Sequence, residues 1–93
     1  MLEKEIEKKV CDYAKEKGHL VYKFTSPSRA SVPDRMFVAD DGDIYFIEFK
    51  APGKTLTPAQ EREKNKLSGR GVSVFVVNDV THGKSVIDFM SGQ

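Results

Sequence analysis

The chain has 93 residues, 39% of them hydrophobic, and sets 15 Lys and Arg against 14 Asp and Glu. That length supports a single domain over 1–93 with a modest core, and the balanced charge excludes a global basic field, so any nucleic-acid contact must come from local clustering. A lone cysteine, Cys11, excludes an internal disulfide and a cysteine-based zinc site; with no apolar run long enough to span a membrane and no signal-peptide pattern, the expected location is the cytoplasm.

Residues 2–17 predict an amphipathic helix, with Leu2, Ile6, Val10, Tyr13 and Ala14 in one stripe and Gly18 as the stop. Cys11 sits in this pattern as an inert thiol. Glu3 and Glu7 border the stripe and can approach a neighbouring sheet, although acids in the first helical turns also suit the helix dipole. Residues 19–24 read as a strand with Leu20, Tyr22 and Phe24 on one side. Residues 25–33 are polar and turn-rich, a loop whose hydroxyls and Arg29 suit a phosphate backbone.

Two strands follow, Met36-Phe37-Val38-Ala39 and Ile44-Tyr45-Phe46-Ile47, separated by Asp40-Asp41-Gly42-Asp43. A two-residue turn at Asp41-Gly42 would set Asp34 opposite Phe49. A three-residue loop with Gly42 left-handed sets Asp34 opposite Glu48, and that register is expected, because two carboxylates brought together call for a divalent metal between them. In the second strand Ile44, Phe46, Glu48 and Lys50 share one face, while Tyr45, Ile47 and Phe49 share the other. Both faces begin apolar, so the strand is expected to be covered on both sides. Charge then appears on one face only, at its far end, where buried carboxylates are costly unless paired or bound to a cation.

Beyond a second loop at 51–57, Thr57-Pro58-Ala59-Gln60 matches a capping box, with Pro at the first helical position. This gives Gln60 a structural reason to exist. The helix that follows runs to about Leu67, is very polar and covers an edge rather than a core. Val72-Ser73-Val74-Phe75-Val76-Val77 predicts a central or near-central strand, and residues 81–90 a short terminal helix. His19 and His82 lack a third partner at metal-ligand spacing and read as bystanders. The order α-β-β-β-α-β implies an α/β fold with a mixed sheet flanked by helices.

Mg²⁺ typically uses one or two protein carboxylates and keeps waters and substrate oxygens as its remaining ligands. Asp34 and Glu48, with the Phe49 main-chain carbonyl, can supply such a partial shell. Lys50, on the same face as Glu48, can position a water or stabilise developing charge. These are the parts of a hydrolytic phosphodiesterase site.

Pro33-Asp34 followed by Glu48-Phe49-Lys50, with 13 residues between the two acids, resembles the PD-(D/E)XK nuclease signature. The finer match is to the virus-type replication-repair nuclease domains, the VRR-NUC group. It rests on an early helix with Glu, a turn before Pro-Asp, the Glu-x-Lys strand and Gln60 opening the next helix, and it covers about residues 3–78. Ser31 stands where many members have Gly. The resemblance implies a restriction-endonuclease-like core and a Mg²⁺- or Mn²⁺-dependent DNA endonuclease without an organic cofactor. Stand-alone members are phage or prophage proteins, so a bacterial or phage-infected host cell is implied, with a homodimer acting on branched DNA such as four-way (Holliday) junctions. It makes Asp34 and Glu48 metal ligands, Lys50 the catalytic lysine and Gln60 a supporting active-site residue. For the helix carboxylate, Glu3 followed by Ile6 fits the phage-type pattern, and Glu7 is its rival. Lys23, Arg29, Arg35, Lys54, Arg62 and Lys66 flank the expected mouth and are candidate phosphate contacts. The competing readings are a non-catalytic nucleic-acid-binding module, a flap or single-strand nuclease, and a sequence-specific restriction enzyme, for which this length hardly leaves a reading domain.

Overall fold

The computed structural model describes residues 1–28 and 31–92. In chain order the elements are α1 (Glu3–Glu16), β1 (Leu20–Lys23), β2 (Arg35–Val38), β3 (Ile44–Phe49), α2 (Pro58–Ser68), β4 (Ser73–Val77) and α3 (Val80–Met90). One mixed four-stranded sheet runs β1-β2-β3-β4, antiparallel across the first three strands and parallel between β3 and β4. The α/β class and the order read from the sequence are those observed. The place of β4 is not: it lies at the sheet edge, and its apolar run is accounted for by packing against α2 and α3 instead of by a strand on either side.

The β2–β3 hairpin takes the three-residue loop. Ala39 N–H donates to the Asp43 carbonyl at 2.8 Å, Gly42 N–H donates to Ala39 at 2.9 Å, and Gly42 has φ of +92°. A left-handed backbone at that position favours glycine. Arg35 consequently pairs with Ile47, which puts Asp34, the next residue out, across from Glu48. The whole site depends on this count, since a shift of one residue would turn every side chain to the opposite face.

One face of the sheet is closed by α1 and α3. Phe37, Tyr45, Ile47, Phe49 and Val77 from the strands meet Ile6, Val10, Ala14, Val86 and Ile87 from the helices, all of them buried. Phe37 and Tyr45 stack with centroids 4.9 Å apart. Each large side chain so buried contributes roughly 1.5–3 kcal/mol. The terminal helix is therefore a structural lid. It lies so near α1 that a Cβ on Gly83 would fall onto the Val10 methyl groups.

The other face is open over β1 and the start of β3, so the expectation that β3 is covered on both sides fails at Ile44 and holds only toward Phe46 and Glu48. Leu20, Tyr22 and Ile44 are 54%, 48% and 53% exposed. The reason lies in α2, which is so polar that none of its residues is buried and which packs against β4 at the edge. On β1 it is Val21 that packs against the core, while Leu20 and Tyr22 lie on the uncovered side. Leu2, placed in the helical stripe, is likewise exposed at 70%, because it precedes the first turn of α1.

His19 is buried and serves the helix-covered face, away from the acid pair. Its Nδ1 and Nε2 lie 2.7 Å from Tyr45 Oη and Ser91 Oγ, and the Ser91 hydroxyl donates to the Ile87 carbonyl at 2.7 Å. With that proton committed, Ser91 accepts from Nε2–H, and Nδ1 accepts from Tyr45. This assigns a neutral ring, and burial lowers the His19 pKa in the same sense. Among the described residues no helix is long and apolar enough to cross a membrane.

Candidate active site

Asp34 immediately precedes β2, and Glu48 is the fifth residue of β3, at the end of the sheet remote from the hairpin. The Asp34 carboxylate is held from below: Phe49 N–H donates to its Oδ2 at 2.9 Å. Glu48 is buried, only 5% exposed, and Gln60 Nε2 donates to its Oε1 at 3.0 Å.

Gln60 serves two roles with one amide. Its Oε1 accepts from Thr57 N–H at 3.0 Å, and its own N–H donates to Thr57 Oγ1 at 3.2 Å, which completes the capping box of α2. Because the main chain takes the amide oxygen, only the NH₂ group remains to face Glu48. The capping geometry thus fixes which end of Gln60 meets the carboxylate. The structural and functional readings of this residue are not alternatives.

The electrostatics mark the pair as unneutralised. Burial first, and then the adjacent Asp34 charge, push the Glu48 carboxyl up to about 7 against a lowering by Lys50. The Asp34 carboxyl is also raised, first by burial. Phe49 N–H works against that shift, Glu7 and Glu3 reinforce it, and Lys50 opposes it. Lys50, half-buried just past β3, is thus near enough to favour the charged form of both acids. Two carboxyls both raised by burial, one of them further by its neighbour's charge and beside one lysine, form a site that gains from a bound cation.

Among the described residues no three His, Cys, Asp or Glu side chains converge as a metal-binding group. The donor set is two carboxylates, which fits a hard cation that retains waters and not a tetrahedral zinc site.

The remaining candidates divide clearly. Glu7 and Arg35, both half-buried, form an ion pair at 2.7 Å. Arg35 was expected at the mouth as a phosphate contact; as the first residue of β2 its side chain points to the α1 side of the sheet and is held by Glu7. Glu3 is exposed, makes no ion pair among the described residues and, like Glu7, acts on the Asp34 charge. Lys23, Lys54, Arg62 and Lys66 are exposed, Lys23 on the α1 side of β1 and the others on or just before α2. Arg29 lies outside the described residues. The sequence reading missed the Arg35–Glu7 pair; its signal was an alternation that puts Arg35 on the same side as Phe37, facing α1.

No protein-family model matches the chain. It is 42% identical over 76 residues to "Putative nuclease p44" of Acyrthosiphon pisum secondary endosymbiont phage 1, covering 82% of each protein. It also matches a solved structure described as a VRR_NUC domain, with a TM-score of 0.86 and 29% identity over 92% of this chain and 94% of that one. With the Pro33-Asp34, Glu48-Phe49-Lys50 and Gln60 arrangement assembled at one end of that fold, the chain belongs to the VRR-NUC family of nucleases.

Proposed function

We propose that this protein is a divalent-cation-dependent endonuclease that hydrolyses phosphodiester bonds in DNA. The observation that carries the reading is the cross-strand placement of Asp34 and Glu48, two partly or fully buried acids at one sheet end with Glu48 pushed up to about 7. Asp34, Glu48 and the Phe49 carbonyl are the ligands in this reading. Mg²⁺ or Mn²⁺, when bound there, would supply neutralising charge at a phosphoryl oxygen and a more acidic water. Gln60 holds Glu48 in a fixed rotamer through a 3.0 Å hydrogen bond. Lys50 orients the attacking water or meets the developing charge, and Glu3, with Glu7 as its rival, supplies the helix carboxylate.

The finer reading is a homodimer that acts on branched DNA such as a four-way junction. Its support is the open apolar face over β1 and the start of β3, which a second copy would cover, and the match between a two-fold dimer and a symmetric branched substrate. The test is cleavage of end-labelled linear, flapped and four-way DNA with Mg²⁺ or Mn²⁺. Asp34→Asn is expected to abolish cutting, and Lys50→Ala to cut roughly 10²–10³-fold more slowly with nearly unchanged DNA affinity. Paired symmetric cuts in the junction support the dimeric form, whereas cuts confined to flaps keep the nuclease and discard the junction. Tight binding with no metal-dependent cut would leave a non-catalytic binding module.

A further inference from the structure

A groove of about 920 Å³ runs between α1 and the edge strand β1 and opens at its near end on Asp34. Its charge is not the mixture that its residue types suggest. Glu7 is taken up by Arg35 at 2.7 Å and Asp12 by Lys8 at 2.7 Å. Lys4, Lys15 and Lys23, which also line it, make no ion pair among the described residues. The groove is therefore walled by three available ammonium groups, with the acids paired off except where Glu3 adjoins Asp34. Beside that end it is lined by Phe24, half-buried with its ring 5.0 Å from Phe46, and by the polar pair Thr25 and Ser26. Cations along a groove, an aromatic ring and hydroxyls at its head are the components with which proteins hold an unpaired nucleic-acid strand: the cations track the phosphates and the ring stacks on a base. The volume, near the upper end of the roughly 300–1,000 Å³ that suits a drug-sized ligand, has room for a short run of one strand.

We infer that this groove holds an unpaired strand of the DNA substrate, leading it away from the scissile phosphate along α1. The inference rests on the nuclease reading and deepens it toward a flapped substrate: the DNA carries a single-stranded segment next to the cut, which a fully paired four-way junction lacks. It also moves the principal phosphate track from the α2 side, where Lys54, Arg62 and Lys66 lie, to the α1 side.

The test measures binding of a short fluorescent oligothymidylate and of a blunt duplex over a series of salt concentrations. It compares the wild-type protein with Lys4→Ala/Lys15→Ala/Lys23→Ala, with Lys54→Ala/Arg62→Ala/Lys66→Ala and with Phe24→Leu, after equal thermal stability has been checked. Loss of three phosphate contacts to a single strand should lower the salt slope by about 2 and weaken oligothymidylate binding at least tenfold. Phe24→Leu should weaken it several-fold with the slope unchanged. The α2 variant should affect the duplex more than the single strand. An unchanged slope in the α1 variant, or a wild-type protein that cleaves DNA but does not hold oligothymidylate, overturns the groove and leaves the nuclease standing. A wild-type protein that neither binds nor cleaves any DNA overturns both.

Discussion

The two faces of the sheet solve different problems with the same strands. On the helix-covered face, Phe37, Tyr45, Ile47, Phe49 and Val77 are essentially inaccessible, and the polar atoms among them are satisfied by His19. On the open face Leu20, Tyr22 and Ile44 stay about half exposed, and the buried group at its far end is a carboxylate, Glu48. Stability is concentrated on one side, and the other is left free to hold charge that opposes folding. Such a division is expected where a small domain must keep a reactive end without a second core.

The largest effect that tests this contrast is truncation on each side. Phe37→Ala should cost about 3–5 kcal/mol by denaturant unfolding, enough to unfold much of the population in a domain this size. Ile44→Ala should cost less than about 1 kcal/mol in the monomer. A large loss at Ile44 that depends on protein concentration would mean that a second copy covers the open face.

The next effect has the opposite sign. A folded-state pKa of about 7 for Glu48, above its ordinary 4.5, favours folding below pH 4.5 and loses that contribution as the pH rises toward 7. Glu48→Gln keeps an acceptor for Gln60 and removes the charge. It should therefore stabilise the metal-free protein at pH 8 by about 1–3 kcal/mol, about 4–20 °C in Tm, while cleavage is lost. Mg²⁺ should stabilise the wild-type protein at pH 8 and leave the variant nearly unmoved. A variant less stable than wild type at pH 8 would show that the charge is already neutralised within the chain.

The smallest effect belongs to His19. Its folded pKa lies below the ordinary value, so its contribution is intact above the unfolded pKa near 6.5 and is lost as the pH falls through that value and below. Protonation would make both ring nitrogens donors and oblige Tyr45 to accept where it now donates. His19→Gln should flatten the decline in Tm between pH 7 and pH 5 and lower Tm at pH 8. An unchanged slope would place the acid sensitivity elsewhere.

How much of this was legible in the sequence varies by residue. The site register was legible, because a loop of Asp40-Asp41-Gly42 with a left-handed Gly42 permits one pairing and that pairing aligns Asp34 with Glu48. Gln60 was legible as a cap, and its second contact follows from the first. The edge position of β4 was not: a run of Val and Phe announces burial without saying whether a strand or a helix provides it. The pairing of Arg35 was not legible, because a cation near a site reads as a ligand contact until its partner, 28 residues earlier on another element, is seen.

The sequence by itself determined the order of elements, the acid pair and the lysine beside it, since these depend on local periodicity, turn chemistry and spacing along one chain. Tertiary structure alone decided that α2 leaves half the sheet bare, that α3 closes the other half, and that pairing off Glu7 and Asp12 leaves a lysine-lined groove leading from Asp34. Those outcomes depend on which residues meet across long separations, and charge or exposure at such meetings is a property of the pair that neither residue carries alone.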